Sequence, residues 1–286
     1  MSLTNGQYSR EELDGFPIFS LDCEFIGKSF EKADLQRLSE ERLFVGLDRD
    51  GTLVPIYSDQ SLALVDDRVR KIINQLTKLP QTTVSIVSAR SAERLKKDYY
   101  SAEAILAGNY GLEVYFPDAT AVIQKEALEA LPLLRSLRQL IADELESTLP
   151  ICLDDHVLSL CLHYHLVPEH EQQIVHQKVA AFAKQFTGLQ FRALPTSYEV
   201  LPPFDWSKGH SLSVIAQRLG LDDGKTCFLF IGDSEADEAA FQWCNEAGGI
   251  SILVNSRVVE GSAAKYRVHS PGQVLAFLQY LTGSRN

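Results

Sequence analysis

The sequence predicts an α/β protein, a Rossmannoid parallel-sheet core with an α+β unit inserted into it. Three observations predict this. Short, continuous apolar runs alternate with amphipathic helical segments early in the chain, and the same pattern returns late. Between the two stretches lie a long helical pattern and a strictly two-sided segment of different character. Strands buried on both faces read as unbroken apolar runs, and strand–helix–strand order makes their pairing parallel.

Residues 1–40 carry no clear pattern and end in a polar helical stretch over 31–42. Residues 43–47 read as the first buried strand. A helix over 66–79 follows, with Val69, Ile72, Ile73 and Leu76 on one face. Residues 83–87 give a second strand, 91–99 a helix and 104–107 a third strand. The insert opens with one helix over 125–149. Residues 157–166 then alternate between two faces, as a half-buried strand does. Another helix spans 169–186, followed by strands near 189–194 and 198–200. The first pattern resumes with a helix over 207–219, a strand over 227–231, a helix over 235–245 and a strand over 250–254. A last helix covers 271–281, with Pro271 in its first turn. The expected division is a core of 41–117 and 196–286, a cap of 118–195 and an extension of unassigned role over 1–40. Pro117 and Pro195 break the regular pattern at the two junctions.

Composition excludes several classes. The 286 residues include 27 Lys plus Arg and 38 Asp plus Glu, a net charge of −11. That field repels a nucleic-acid backbone, so no nucleic-acid partner is expected. No apolar run approaches the roughly 18–20 residues that span a bilayer, so no membrane partner is expected either. The first fifteen residues lack an apolar signal-peptide core. The five Cys are scattered and never spaced Cys-x-x-Cys, the pattern of reduced thiols in a cytoplasmic protein. The same acidity poses a problem for any phosphate-bearing ligand, which needs a metal or placed cations to reverse the local field. Nothing here fixes an oligomeric state.

Chemistry concentrates at strand ends. Asp48-Arg49-Asp50-Gly51-Thr52 follows directly on the first strand. Residues two apart on an extended segment face one way, so Asp48 and Asp50 can address one site, while Gly51 permits a sharp turn. Ligands of open α/β sheets bind at these carboxyl ends, and paired hard oxygens suit Mg²⁺. Ser88 ends the second strand, Lys208 starts a helix, and Gly232-Asp233-Ser234-Glu235-Ala236-Asp237 follows the strand over 227–231.

This ordered set resembles the four motifs of the haloacid dehalogenase (HAD) phosphohydrolases. The resemblance implies a HAD-like fold with Asp48 as nucleophile and Asp50 as general acid and base. Asp48, the Asp50 carbonyl, Asp233 and Asp237 would serve Mg²⁺, and Thr52, Ser88 and Lys208 the phosphate. The stretches 47–56, 86–91, 106–113, 158–165, 198–209 and 230–241 narrow it to the trehalose-6-phosphate phosphatases. That family implies hydrolysis of trehalose 6-phosphate, a step of trehalose biosynthesis, with Asn109, Glu113, His163, His165 and Glu199 toward the sugar. Departures fall on recognition. Asp154-Asp155-His156 stands where the family has Glu-x-Lys, His165 and Leu201 where Arg is usual, and Tyr110 where His is usual. Ser234 replaces the second acid of the fourth motif. Glucosylglycerol phosphate or sucrose phosphate therefore stays open as the small-molecule substrate, as does a non-catalytic sensor of sugar phosphates.

Overall fold

The computed structural model describes residues 30–57, 63–100, 102–257 and 259–285. Residues 1–29 of the extension, and Cys23 with them, lie outside the described residues. The described residues fall into two compact units, one within 1–85, 101–104 and 216–286, the other within 86–100 and 105–215.

In chain order the elements begin with α1 (Lys32–Glu40), β1 (Arg42–Leu47), α2 (Asp67–Leu76), β2 (Thr82–Val87) and α3 (Ala92–Asp98). Then come β3 (Ile105–Gly108), β4 (Glu113–Tyr115), β5 (Ala121–Ile123), α4 (Lys125–Ile141), β6 (Cys152–Asp155) and β7 (Leu160–His163). α5 (Glu169–Gln185), β8 (Gln190–Ala193), β9 (Ser197–Leu201) and α6 (Lys208–Arg218) follow. β10 (Thr226–Gly232), α7 (Glu238–Glu246), β11 (Ile250–Val254), β12 (Tyr266–Val268) and α8 (Pro271–Ser284) complete the chain.

An eight-stranded sheet runs β12-β11-β10-β1-β2-β3-β4-β5, and a four-stranded sheet runs β6-β7-β9-β8. β1, β10, β11 and β12 pair in parallel, with Leu47 opposite Ile231 and Gly232 opposite Leu253. Every residue of β10 and β11 is buried, which explains why those runs show no alternation. Helix starts carry side-chain caps. Asp66 accepts from Arg68 N–H at 2.7 Å, and Ser91 and Ser270 each accept from the third residue onward at 3.4 Å. α1 is tied down: Tyr266 donates to Asp34 at 2.6 Å, and Arg285 Nη1 donates to the Leu38 carbonyl at 2.5 Å.

In the second unit, α4, α5, β7 and β9 share one apolar core built on Leu134, Leu137, Leu160, Leu162, Phe182 and Val200. Two expectations need correction. The single helix over 125–149 ends at Ile141 and widens into a five-residue π turn over Ala142–Glu146. Ser147 and Thr148 hydroxyls bond back to the Asp143 and Glu144 carbonyls at 2.6 and 3.3 Å, competing with continued helix. The strand over 157–166 shrinks to β7, because Val157 sits at φ +71° and the Val167 N–H turns back onto the Tyr164 carbonyl. Its two-sidedness survives: Leu160, Leu162 and Tyr164 enter the apolar core. Cys227 and Cys244 are buried, Cys161 is half-buried and Cys152 is exposed, and no disulfide joins any two of these four.

Candidate active site

In the first unit the chain leaves β1 at the acidic motif. Asp48 N–H donates to the Ile231 carbonyl at 2.9 Å, prolonging the ladder by one residue. The chain then turns at Gly51 (φ +85°), whose N–H reaches the Val54 carbonyl, while Leu53 and Val54 N–H groups both bond the Arg49 carbonyl at 2.9 Å. Any Cβ at position 51 would overlap the Asp233 carboxylate. Asp48 is buried. Asp50 is about a third exposed, and its Oδ1 pairs with the guanidinium of fully buried Arg49 at 2.5 Å.

β10 delivers the other acids. Asp237 ends a single 3₁₀ turn, Glu235–Asp237, where the sequence suggested α-helix from 235. Its Oδ2 accepts from Asp233 N–H, Ser234 N–H and Ser234 Oγ, each at 3.0 Å. Asp48, Asp233 and Asp237 each bring a carboxylate oxygen within 4.8 Å of the other two. Three anions at such spacing repel strongly in a buried setting. Hard oxygens in a cradle that only glycine leaves open fit Mg²⁺. Thr52 is buried beside this turn in sequence, and its Oγ1 has no hydrogen-bond partner among the described residues.

The second unit holds the remaining expected residues. Ser88 continues β2: its N–H donates to the Ala107 carbonyl at 2.9 Å, and its Oγ accepts from Arg90 N–H at 3.2 Å. Lys208 opens α6 and is 3% exposed, a rare setting for an ammonium group. After β3, Asn109, Tyr110 and Gly111 take left-handed conformations in succession, at φ 51°, 59° and 87°. A Cβ on Gly111 would collide with the Ser211 side chain, so this turn lies against α6.

Asn109 is wholly buried and its amide is spent inside the protein. Nδ2 donates to Glu113 Oε1 at 2.8 Å and to the His156 carbonyl at 3.0 Å, while Oδ1 accepts from Ser159 at 2.6 Å. Glu113 Oε1 also accepts from Ala92 N–H at 2.8 Å, capping α3. These two residues brace the hairpin tip between β6 and β7.

One face of the four-stranded sheet is polar. Register sets Asp154 opposite Cys161, Cys161 opposite Glu199, and Glu199 opposite Arg192. His163 Nε2 lies 3.2 Å from Asp154 Oδ2, and that hydrogen bond holds the Asp154 carboxyl below its usual range. Tyr110 donates its hydroxyl to Glu199, and burial, reinforced by that carboxylate, raises the phenol well above its ordinary pKa. Burial likewise pushes the Cys161 thiol to about 12 and the His156 imidazole below 6.5. His165 lies past the strand end, exposed, its ring 6.1 Å from that of His163.

Sequence reasoning misses two cations that follow β1 and β2 of the larger sheet. Arg49 lies inside the acidic motif, and an arginine between two acids at the end of an apolar strand was its only signal. Arg90 lies two residues beyond Ser88, where its charge bears on Asp154, His156 and Cys161.

The family model described as trehalose-phosphatase matches residues 46–272. Probable trehalose-phosphate phosphatase 3 of Oryza sativa subsp. japonica is 28% identical over 257 residues, covering 84% of this chain and 69% of that protein. Trehalose 6-phosphate phosphatase RA3 of Zea mays is 27% identical, covering 86% of this chain and 71% of that protein. In fold, the C-terminal domain of the C. albicans trehalose-6-phosphate phosphatase superposes with a TM-score of 0.72 at 21% identity, over 88% of this chain and 96% of that one. A haloacid dehalogenase-like hydrolase from Bacteroides thetaiotaomicron superposes at 0.59 and 13% identity, over 84% of this chain and 99% of that one. With a HAD-like fold, and with the match running from the first acidic motif almost to the C-terminus, the chain belongs to the trehalose-phosphatase family, whose members are phosphoric monoester hydrolases.

Proposed function

We propose that this chain hydrolyses trehalose 6-phosphate to trehalose and phosphate through an aspartyl-phosphate on Asp48. The observation that carries the reading is the convergence of Asp48, Asp233 and Asp237 at the ends of adjacent strands. Mg²⁺ held by these three carboxylates and the Asp50 carbonyl would neutralise charge on the phosphoryl oxygens.

The chain's own groups divide the work. An Asp48 oxygen bonds to phosphorus as the bond from phosphorus to the sugar oxygen breaks, and Asp50 gives its proton to that oxygen. In the second half, water's oxygen bonds to phosphorus, its proton passes to Asp50, and the Asp48 carboxylate is released. Thr52, Ser88 and Lys208 hold the phosphoryl oxygens. The buried Thr52 hydroxyl, without a hydrogen-bond partner among the described residues, supports this, since such a group calls for a polar ligand. The core of 41–117 and 196–286 carries this chemistry and the cap of 118–195 selects the sugar. The pairing of β9 with β7 and β8 favours a cap that runs on through residue 201. Scattered cysteines with no Cys-x-x-Cys spacing support a cytoplasmic setting.

The polar sheet face favours a second reading, a different glycosyl phosphate as substrate. Asp154 and His156 stand where the family resemblance leads one to expect a Glu-x-Lys pair, and His165 where it leads one to expect an Arg, while Asp154 pairs with half-buried His163 at 3.2 Å. Phosphate release with Mg²⁺ is to be measured on trehalose 6-phosphate, sucrose phosphate and glucosylglycerol phosphate, with Asp48→Asn as control. Release led by trehalose 6-phosphate and lost in Asp48→Asn is the expected result. A lead by another sugar moves the assignment to that sugar, and undiminished release by Asp48→Asn overturns the nucleophile. No release from any phosphate ester would make the chain a sugar-phosphate sensor.

A further inference from the structure

We propose that Arg49 is a positioning residue for Asp50, fixing the carboxylate that exchanges protons with the leaving oxygen and with water. The inference rests on the phosphatase reading above. Arg49 is 0% exposed, a setting an arginine tolerates only when its donors are engaged. Nη1 donates to Asp50 Oδ1 and Nη2 to the Ala63 carbonyl, both at 2.5 Å. Its backbone carbonyl meanwhile receives the Leu53 and Val54 N–H groups. One buried residue thus joins the motif turn, the segment leading into α2 and a carboxylate that is 31% exposed. Pinning Oδ1 to a planar group anchored at a second point removes the torsional freedom of a short side chain on a turn. Lysine, whose three donors share one compact nitrogen, does not reproduce that planar fork between two separate acceptors.

The consequence is selective. A general acid contributes about 10²–10⁴-fold, and misplacement by about 1 Å costs on the order of 10²-fold. The loss falls only on steps that use Asp50. A sugar oxygen needs a proton as its bond to phosphorus breaks. p-Nitrophenolate departs as an anion without one, so its first-turnover release does not call on Asp50.

The experiment is rapid mixing of enzyme and Mg²⁺ with p-nitrophenyl phosphate and, separately, with trehalose 6-phosphate. The ratio of sugar release to the nitrophenolate burst is read on the same sample, so any loss of folded protein cancels. Arg49→Met is expected to lower the ratio tenfold or more, Arg49→Lys by less, and neither to lower it further in an Asp50→Asn background. If Arg49→Met yields no folded protein, Arg49→Lys carries the same comparison. Equal loss of both rates, or the same added loss in the Asp50→Asn background, overturns the inference and leaves Arg49 a structural residue. A ratio untouched by Asp50→Asn itself is a different failure, that of the acid role assigned to Asp50.

Discussion

Replacing Gly51 by alanine separates backbone strain from damage to the acidic site. At φ +85° an alanine sits in the left-handed region, at a cost of about 1–2 kcal/mol. The added Cβ would fall within the Asp233 carboxylate, with Oδ1 only 2.9 Å away and Oδ2 and Cγ closer still. Ordinary carbon contacts begin near 3.5 Å, so the carboxylate must retreat by about 1 Å or more. Asp233 has little room to comply, because its N–H is held by Asp237 at 3.0 Å. A displacement of that size in a group aligned for catalysis costs on the order of 10²-fold in rate. Gly220 supplies the control: its φ is +59°, and nothing lies within 4 Å of an added Cβ. Thermal unfolding should show Gly220→Ala destabilised by about 1–2 kcal/mol and Gly51→Ala by more, since only the latter must also displace a carboxylate. Phosphate release titrated with Mg²⁺ should then part them, with Gly51→Ala losing about a hundredfold and needing more Mg²⁺. Gly51→Ala with wild-type turnover and Mg²⁺ dependence, destabilised only as Gly220→Ala is, would refute the reasoning.

Three further outcomes follow from named contacts. Asp237→Ala strands two backbone donors, at about 1–3 kcal/mol each, which urea titration would read. Asp237→Asn keeps an acceptor oxygen, so it should restore most of that stability while raising the Mg²⁺ concentration needed for half-activity; unchanged Mg²⁺ dependence would remove Asp237 from the metal set. Asn109→Ala loses three buried hydrogen bonds and should cost about 2–4 kcal/mol in thermal unfolding. A cost below about 0.5 kcal/mol, the range of an ordinary surface change, would show that the brace carries no weight. Burial holds the His156 pKa below 6.5, so as pH drops through that value the unfolded chain takes a proton that the folded chain refuses. Stability contributed above pH 6.5 is therefore lost below it, and His156→Gln should flatten the decline in melting temperature between pH 7.5 and 5.5. Parallel declines in the two proteins would count against the assignment.

What could be read from the sequence depended on how local the cause was. β1, β10 and β11 announce themselves because strands buried on both faces have no polar positions to hide them. β4, β5 and β12 are three residues each and β6 is Cys-Leu-Asp-Asp, too short or too polar to show a period. The acidic motif was legible for the same local reason: five consecutive residues at the end of a strand. Arg49 was in plain view within it, yet its role depends on burial and on a carbonyl fourteen residues away, neither of which spacing reveals. The resemblance nominates Asn109 and Glu113 for the sugar, and the structure adds a bracing role that no spacing reveals. The Asn109 amide meets His156 and Ser159 across about fifty residues of chain, and Glu113 bonds Asn109 in turn, so in sequence a bracing residue looks the same as a binding one.

Asp237 carries that ambiguity one step further. Acidity at such a position admits two explanations, a favourable charge at a helix start or a ligand for a cation. The geometry lets one carboxylate serve both. Oδ2 gathers the N–H groups of Asp233 and Ser234, and by doing so it fixes the backbone that aims Asp233 toward Asp48. The net charge of −11 then ceases to be an obstacle to a phosphate ligand. Part of it is gathered at the ends of two adjacent strands, and its mutual repulsion favours the divalent cation proposed above.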